Sequence, residues 1–127
     1  MTAHERRCNT SGMSSFVFNV TFDCADPRAL SRFWSEVTGY QLTGEERDDF
    51  VRLRAPDHRG VRYLLFFKVP EPKTVKNRMH VDLATRDVEA EVARLVGLGA
   101  KEIDRREGNG TRWVVMNDPE GNEFCLG

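Results

Sequence analysis

The chain has 127 residues, of which 39% are hydrophobic and 31% charged, and its 19 basic and 20 acidic residues nearly cancel. This length predicts one domain with a real core, and the balanced charge argues against a nucleic-acid partner, which needs a basic face. No apolar run approaches the roughly 20 residues that span a bilayer, so no membrane partner is expected.

The first 13 residues are polar and show no hydrophobic periodicity, which predicts a disordered N-terminal extension over 1–13. They also lack the apolar centre of a signal peptide, and this favours a cytoplasmic protein. The three cysteines, Cys8, Cys24 and Cys125, have no close metal-type spacing. They indicate reduced thiols rather than a disulfide.

A strand–helix pattern begins at "NVTFDC", which alternates polar and apolar residues as a half-buried strand does. Asp26 follows at a position that suits a helix N-cap, and Leu30, Phe33, Trp34 and Val37 then recur at helical spacing until Gly39 ends the pattern. Three strand-like runs come next: "YQLTGEE", "FVRLRAP" and "VRYLLFFKV". The order of elements is βαβββ.

The same pattern recurs 61 residues later, after a proline-rich and charged linker, "PEPKTVKN". "HVDL" reads as the strand, Asp87 as the N-cap and Gly99 as the stop of a helix whose apolar face comprises Val88, Val92, Leu95 and Val96. The runs "AKEIDRR", "RWVVMNDP" and "NEFCL" then predict three more strands. The proline turns after "FVRLRA" and "WVVMND" match as well, and Asp118, Pro119, Gly121 and Asn122 are expected to have structural roles in the second turn.

A fold of the α+β class follows from this repeat: two βαβββ modules, at 16–69 and 79–127, are joined by a linker at 70–78 within one domain, 14–127. Each module has one helix, so we expect the helices to cover the outer face of one curved, mixed, eight-stranded sheet. The concave face is then free for a small-molecule ligand. The modules could pair within one chain or across a homodimer, since both arrangements bury the same faces.

Strand alternation assigns side chains to the two faces. The apolar set expected against the helices is Phe18, Val20, Phe22, Cys24, Met79, Val81, Leu83, Phe124 and Leu126. The set expected on the concave face is Asn19, Thr21, Asp23, His80, Asp82, Ala84, Glu123 and Cys125, joined by Arg62, Leu64 and Phe66 from the fourth strand. A slip of one residue would place Tyr63, Leu65 and Phe67 there instead.

The repeat, together with "ADPRALSRFWSEVTGY", "HVDLATRDVEAEVARLVGLGA" and the closing "DPEGNEFCL", resembles the glyoxalase, bleomycin-resistance and extradiol-dioxygenase superfamily, also called the vicinal oxygen chelate fold. The closest likeness is to glyoxalase-like domains, over residues 16–127. The resemblance implies a divalent metal held by the first, fourth, fifth and eighth strands, which polarises vicinal oxygens of a substrate. Those positions here are Asn19, His80, Leu64 (or a neighbour such as Phe66 or Phe67) and Cys125.

This ligand set is incomplete, since only His80 matches the usual chemistry and Leu64 cannot ligate. Asp23, Asp82 and Glu123 share the face and could join a rearranged site. His80 therefore has three readings: metal ligand, hydrogen-bonding or acid–base residue of a pocket, and purely structural side chain. Asp23 and Asp82 are inward carboxylates that could shift each other's pKa, or they simply bond to Arg62, Arg78 or the backbone.

The aromatic residues Phe50 and Trp113 occupy equivalent repeat positions and either wall the pocket or fill the core. Lys76, Asn77 and Arg78 at the mouth read as a solvated linker, with anion attraction as the alternative. The predicted ligand-binding set is Asn19, Thr21, Asp23, Arg62, His80, Asp82, Trp113, Glu123 and Cys125. The favoured function is binding of a small organic molecule in a resistance or sequestration role; the alternative is a metal-dependent lyase, isomerase or dioxygenase, with His80 as the catalytic candidate.

Overall fold

The computed structural model describes residues 14–44, 46–58 and 60–127, so the extension predicted at 1–13 lies outside the described residues. The chain divides into two compact units between Lys68 and Val69. Each unit holds one of the predicted modules. Among the described residues, no helix has the length and apolar character that crossing a membrane requires.

The first module follows the predicted order of elements. It comprises β1 (Asn19–Cys24), α1 (Pro27–Thr38), β2 (Gln41–Leu42), β3 (Phe50–Arg54) and β4 (Tyr63–Lys68). The strands lie side by side in the order β1-β4-β3-β2. β1 runs parallel to β4, and the other two pairs are antiparallel.

The second module repeats this arrangement. It comprises β5 (Asp82–Leu83), α2 (Val88–Leu98), β6 (Lys101–Gly108), β7 (Thr111–Asn117) and β8 (Glu123–Leu126). Its order, β5-β8-β7-β6, and its parallel β5–β8 pair correspond strand for strand to the first module. The predicted α+β fold of two βαβββ modules is therefore confirmed.

Both helices begin and end as predicted. The carboxylates of Asp26 and Asp87 each accept a hydrogen bond at 3.1 Å from the backbone amide three residues on. Each thereby satisfies one of the amide donors that a helix N-terminus leaves unpaired. Gly39 and Gly99 close the helices at φ angles of 80° and 119°, a left-handed conformation that suits glycine.

The helix packs against one face of the sheet in each module. In the first module the ring of Phe22 lies between Trp34 and Phe66, with centroid distances of 5.2 and 4.9 Å. In the second, Val92, Leu95, Met116, Phe124 and Leu126 are all buried. The face opposite the helix, the open face below, carries the alternate residues of each strand.

Three apolar residues depart from the expected packing. Phe18 precedes β1 and is 46% exposed, Val96 is 47% exposed, and Met79 is 87% exposed. Met79 lies before β5, which begins only at Asp82, so alternation does not orient its side chain. Phe18 instead makes edge-to-face contacts with Phe16 and Tyr63.

The expectation that Leu64 and Phe66 line the ligand-binding face is wrong. Leu64 and Phe66 are buried on the helix side, and pairing of Thr21 with Leu65 and of Asp23 with Phe67 sets the register. The structure has the alternative register, in which Tyr63, Leu65 and Phe67 pair with Asn19, Thr21 and Asp23. Burial of Phe66 against Phe22 decides it, because no polar residue in this run distinguishes the two faces.

Candidate functional site

A cavity of about 610 Å³ lies on the open face of the second module. β5, β7 and β8 form its floor. β6 and the linker between the two modules form its edge. Five of the predicted ligand-binding residues line it together: His80, Asp82, Trp113, Glu123 and Cys125. Leu83, Val115 and Gly127 complete the floor.

The strand that positions His80 is shorter than predicted, because β5 contains only Asp82 and Leu83. The backbone around it nevertheless remains tied to β8. The Cys125 amide donates to the Val81 carbonyl at 3.0 Å, and the Gly127 amide donates to the Leu83 carbonyl at 3.0 Å. His80 therefore stands next to a residue fixed on β8, with its side chain 42% exposed.

His80, Asp82 and Cys125 form a cluster at one side of the cavity. His80 Nε2 lies 3.2 Å from Asp82 Oδ1, and these atoms and Cys125 Sγ all lie within 4.8 Å of one another. Asp82 faces Cys125 directly across the parallel β5–β8 pair. Neither of the arginines that the sequence offered as partners of Asp82 is needed to explain its position.

Cys125 is partly buried, and its environment favours the thiol. Burial raises its pKa, and the negative charge of Asp82 raises it further, while the positive charges of Lys76 and Arg106 oppose these effects. A raised thiol pKa makes an isolated nucleophilic thiolate unfavourable. Cys125 is therefore a poor nucleophile by itself.

Glu123 lines the cavity, but its carboxylate is already engaged. Its Oε1 accepts from the Asn77 amide at 2.7 Å, and Lys73 Nζ lies 3.2 Å from its Oε2. Burial raises the pKa of this carboxyl, but the hydrogen bonds from Asn77 and Lys73 outweigh it, so the net pKa is lowered. The linker, which the sequence predicted to be solvated, therefore bonds to the carboxylate of Glu123 through Lys73 and Asn77.

Trp113 offers an aromatic surface to the cavity, as the pocket-wall prediction proposed. Three cations border the same space: Lys76, Arg106 and Arg112. Arg106 lies opposite Trp113 in the β6–β7 pair and forms an ion pair with Asp104 at 3.0 Å. Arg106 and Arg112 were not among the predicted site residues, although alternation along "KEIDRREG" could have identified Arg106 as a neighbour of Trp113.

The predicted site residues of the first module are found in different surroundings. Asn19, Thr21 and Asp23 pair with Tyr63, Leu65 and Phe67, so their face of the sheet is largely aromatic and apolar. Arg62 precedes β4 and borders a separate cleft of about 410 Å³ that includes Arg54, Asp57 and His58. Within their own module, these four residues form no cluster like that of the second module.

The residues of the second module can hold a divalent metal. Of the positions that the resemblance implied, Leu64 is core, and Asn19 Oδ1 is a buried oxygen with no hydrogen-bond partner among the described residues. His80 and Cys125 share one cavity, where Asp82 adds a carboxylate. An imidazole, a carboxylate and a thiolate are together a donor set suited to Zn²⁺ and similar ions.

The fold and this cavity place the chain in a defined class of proteins. The model of the glyoxalase-like domain family matches residues 19–127, and the chain belongs to this family. It is thus a member of the glyoxalase, bleomycin-resistance and dioxygenase superfamily that its sequence resembles. No curated protein matches the sequence.

Solved structures share the fold at low sequence identity. A glyoxalase/bleomycin resistance protein/dioxygenase family enzyme from Burkholderia phytofirmans superposes with a TM-score of 0.72 at 20% identity, covering 88% of this chain and 97% of that one. A mutant fosfomycin resistance protein from Listeria monocytogenes, complexed with Mn(II) and 1S,2S-dihydroxypropylphosphonic acid, gives 0.73 at 14% identity, covering 90% of each chain. An antibiotic binding protein from a Streptomyces species gives 0.65 at 21%, covering 90% and 95%.

Proposed function

We propose that this protein binds a small organic molecule in the cavity of its second module, in a resistance or sequestration role. The observation that carries the proposal is the pairing of an aromatic wall, Trp113, with a polar cluster that includes His80 in one cavity of about 610 Å³. Such a volume, with a few convergent polar groups on an apolar floor, is typical of ligand sites. The fold shared with an antibiotic binding protein is consistent with this role.

The lining indicates the chemistry of the ligand. A planar apolar part fits against Trp113, Val115 and Leu83, because aromatic surface gives the largest gain on burial. Glu123 is paired with Lys73 and Arg106 with Asp104, and Lys76 adds a positive charge that acts on Cys125. The preferred ligand therefore combines a planar body with an anionic or carbonyl oxygen.

Three probes separate these two features: 1-naphthalenesulfonate carries both, 1-naphthalenemethanol lacks the charge, and methanesulfonate lacks the planar body. In calorimetric titrations of the metal-free protein, we expect the first to bind roughly tenfold or more tightly than the others, which corresponds to about 1.4 kcal/mol. Equal affinities for the three, or no heat with any, would overturn the proposed ligand class.

A variant pair tests where the probe binds. Trp113→Ala should weaken binding of 1-naphthalenesulfonate by about tenfold or more, because it removes the aromatic wall. Ile103→Ala is the matched control: Ile103 is an apolar side chain of β6 in the same module, 52% exposed and outside the cavity. An unchanged affinity in the Trp113 variant would place the binding elsewhere.

The second candidate function is that of a metal-dependent lyase, isomerase or dioxygenase. The observation in its favour is the proximity of three ligand types, from His80, Asp82 and Cys125. A divalent ion held there would act as a Lewis acid on vicinal oxygens of a substrate. Protein loaded in turn with Fe²⁺, Mn²⁺, Ni²⁺ and Zn²⁺ should then turn over a dicarbonyl or diol substrate, and His80→Ala should abolish that turnover.

The homodimer and the cytoplasmic location expected from the sequence are part of the same proposal. Light scattering of the untagged protein over a range of concentrations tests the first: a mass of about twice 14.6 kDa is expected. Fractionation of the native host tests the second. A monomer would remove the partner subunit from the proposal while leaving the binding function intact, since every lining residue of the cavity belongs to the linker or the second module of one chain.

A further inference from the structure

The cleft of about 410 Å³ in the first module, called the basic cleft below, is bordered by β2, the end of β3 and the loop that joins β3 to β4. Two arginines line it, one at each end of that loop. Arg54 is the last residue of β3, and Arg62 directly precedes β4. Gln41, Thr43 and His58 add N–H and O–H donors to the lining. The basic cleft therefore brings together hydrogen-bond donors, and the two arginines among them are always charged.

The positive charge of this lining exceeds its negative charge. Asp57 contributes one carboxylate, against the two guanidinium groups. Within the part of the chain that the structure describes, neither Arg54 nor Arg62 forms an ion pair with a carboxylate, whereas Arg28 of the same module pairs with Asp48 at 2.8 Å. The lining thus has a net positive charge that a bound anion would neutralise.

Hydrogen bonds hold the backbone on both sides of the basic cleft. The Ala55 amide donates to the Arg62 carbonyl at 2.8 Å, which closes the β3–β4 loop, and the Arg62 amide donates to the Phe18 carbonyl at 2.9 Å. On the other side, Gln41 of β2 pairs with Arg54 of β3. A cleft whose backbone is already fixed loses less conformational entropy when a ligand binds.

The corresponding turn of the second module lacks these features. Five residues (118–122) join β7 to β8, whereas eight (55–62) join β3 to β4. The second module also has asparagine at both positions that the two arginines occupy, Asn117 and Asn122. The longer loop and its arginines are therefore not needed to close the hairpin of this repeat. Loops that rest on a rigid scaffold in this way commonly carry binding residues.

We propose that the basic cleft binds a small phosphate monoester, with Arg54 and Arg62 as its charged ligands. A guanidinium group can donate two parallel hydrogen bonds to one oxyanion. A phosphate monoester has about two negative charges and three acceptor oxygens, so it can use more of these donors than a carboxylate with its two oxygens. The site belongs to the first module alone; it goes beyond the binding function proposed above and does not depend on it.

Methyl phosphate is the probe, and the arginine side chains report where it binds. Each arginine Nε–H group gives a signal in a nitrogen–proton correlation spectrum, and the signal that disappears in Arg54→Gln or Arg62→Gln identifies that residue. The full-length protein is titrated in phosphate-free buffer at constant ionic strength, at a pH where the monoester is a dianion. Both signals should shift saturably, with a Kd of about 1 mM or below. Shifts confined to other arginine signals, or no saturation at roughly twenty times that concentration, would overturn the proposal.

Two further anions define the class of ligand. Acetate should bind at least roughly tenfold more weakly than methyl phosphate, because it accepts fewer charge-assisted hydrogen bonds. Acetate that binds as tightly as methyl phosphate would contradict a phosphate site. Inorganic phosphate separates the free anion from the ester: an affinity no higher than that of methyl phosphate is expected. Binding of inorganic phosphate that is tenfold tighter would exclude the monoester as the preferred ligand.

A matched set of substitutions tests the two ligands, and the signal of the remaining arginine gives the Kd in each variant. Arg54→Gln and Arg62→Gln should each raise the Kd for methyl phosphate by roughly tenfold or more, because charge-assisted hydrogen bonds are lost. Arg32→Gln is the control: it removes the same charge from an exposed position of α1 outside the basic cleft, and it should change the Kd less than about twofold. Equal losses in all three variants would show attraction by net charge without a site.

The exposed position of Arg54 keeps the test independent of folding. Urea unfolding checks each variant, and if Arg62→Gln does not fold, Arg54→Gln and Arg54→Lys decide the outcome. Lysine keeps the charge but cannot form the paired bonds of a guanidinium group. Arg54→Lys should therefore recover part of the affinity that Arg54→Gln loses, and an unchanged Kd in both variants would remove Arg54 from the site and refute the two-arginine proposal.

Discussion

The two modules share the same order of strands and helix but differ in the residues of their open faces. Thr21 pairs with Leu65 in the first module, and the corresponding residues of the second, Asp82 and Cys125, pair in the same way. The first module adds two aromatic rings in contact, Phe50 and Phe67, whose centroids are 4.7 Å apart and whose planes are inclined at 47°. The second adds the His80 cluster.

The difference shows which parts of a duplicated fold are constrained. Helix caps, glycine stops and the residues packed under the helices recur because each module must bury its own core. Residues of the open face carry no such requirement and have diverged in chemistry. We therefore look for function where the two modules differ most, which is the open face of the second.

The largest effect is expected from the residue that sets the register of β4. Phe66→Ala should destabilise the protein by about 3–5 kcal/mol, because Phe66 is fully buried against Phe22. Phe67→Ala, the neighbouring control, should cost about 0.5–1.5 kcal/mol, the worth of its contact with Phe50. Urea unfolding gives both values. Equal costs would mean that the open face of the first module is a second core rather than a surface.

A smaller effect is expected at the turn between β7 and β8. The buried carboxylate of Asp118 accepts from the amides of Glu120 and Asn122 and from Asn122 Nδ2, at 2.8–3.0 Å. Asp118→Ala should cost about 1.5–3 kcal/mol in urea unfolding, because hydrogen bonds to a charged group are lost.

The first module has Ala55 at the equivalent position, so its turn does not use this device. Asp118→Asn is the graded variant: it keeps one acceptor oxygen and should lose less than the alanine variant. If Asp118→Ala left the free energy of unfolding unchanged, the hydrogen bonds of Asp118 would contribute nothing to stability, and the two proline turns would be equivalent in this respect.

The helix caps should behave alike in the two modules. Asp26→Ala and Asp87→Ala should each cost about 1 kcal/mol, since both carboxylates accept the same bond at 3.1 Å. Equilibrium unfolding of the two variants provides the comparison, with Asp26→Asn and Asp87→Asn as controls that keep a capping oxygen. If only one of the two substitutions lowered the free energy of unfolding, the two caps would differ in their contribution to stability despite their equal geometry.

The smallest effect concerns alkaline pH and belongs to the first module alone. The Tyr40 hydroxyl donates to the Val61 carbonyl at 2.6 Å, and burial, aided by the charge of Asp57, raises its pKa. Because the folded state then holds the proton more tightly than the unfolded state, stability should fall as the pH rises above about 10.

Tyr40→Phe should make this part of the pH dependence shallower, as measured by urea unfolding at several pH values between 9 and 11. The second module has Ala100 after its helix stop and no equivalent hydroxyl. Identical slopes in the two proteins would show that Tyr40 titrates alike in the folded and unfolded states.

Most of the helices and strands could be predicted from the sequence, because the residues that determine them act locally. Asp26, Asp87, Gly39 and Gly99 act on the chain within a few residues, and the alternation in β1 and β8 separates polar from apolar side chains. The register of β4 could not be predicted in this way. Its residues are apolar on both faces, so only tertiary packing distinguishes Phe66 from Phe67.

The site was predicted less completely than the frame. Alternation brought His80, Asp82, Glu123 and Cys125 to one face. It did not indicate that Lys73 and Asn77 would bond to Glu123, because these contacts span 50 and 46 residues of sequence. Nor did it identify Asp82 as the neighbour of both His80 and Cys125. Distances between side chains on different strands depend on register and rotamer, which single-sequence patterns do not contain.

The bond between Glu123 and the linker bears on how the chain tolerates changes in length. Loops between repeated units usually accept extra residues, since their backbone is free of packing. Here Lys73 and Asn77 both bond to Glu123, the first residue of β8. The number of residues between Lys73 and Asn77 is therefore constrained by these two bonds. An insertion ahead of Pro72 leaves that spacing intact, whereas one between Lys73 and Asn77 releases a negative charge into the cavity. The segment that joins the repeats is, in this chain, also part of the edge of the cavity, to which it contributes Lys76.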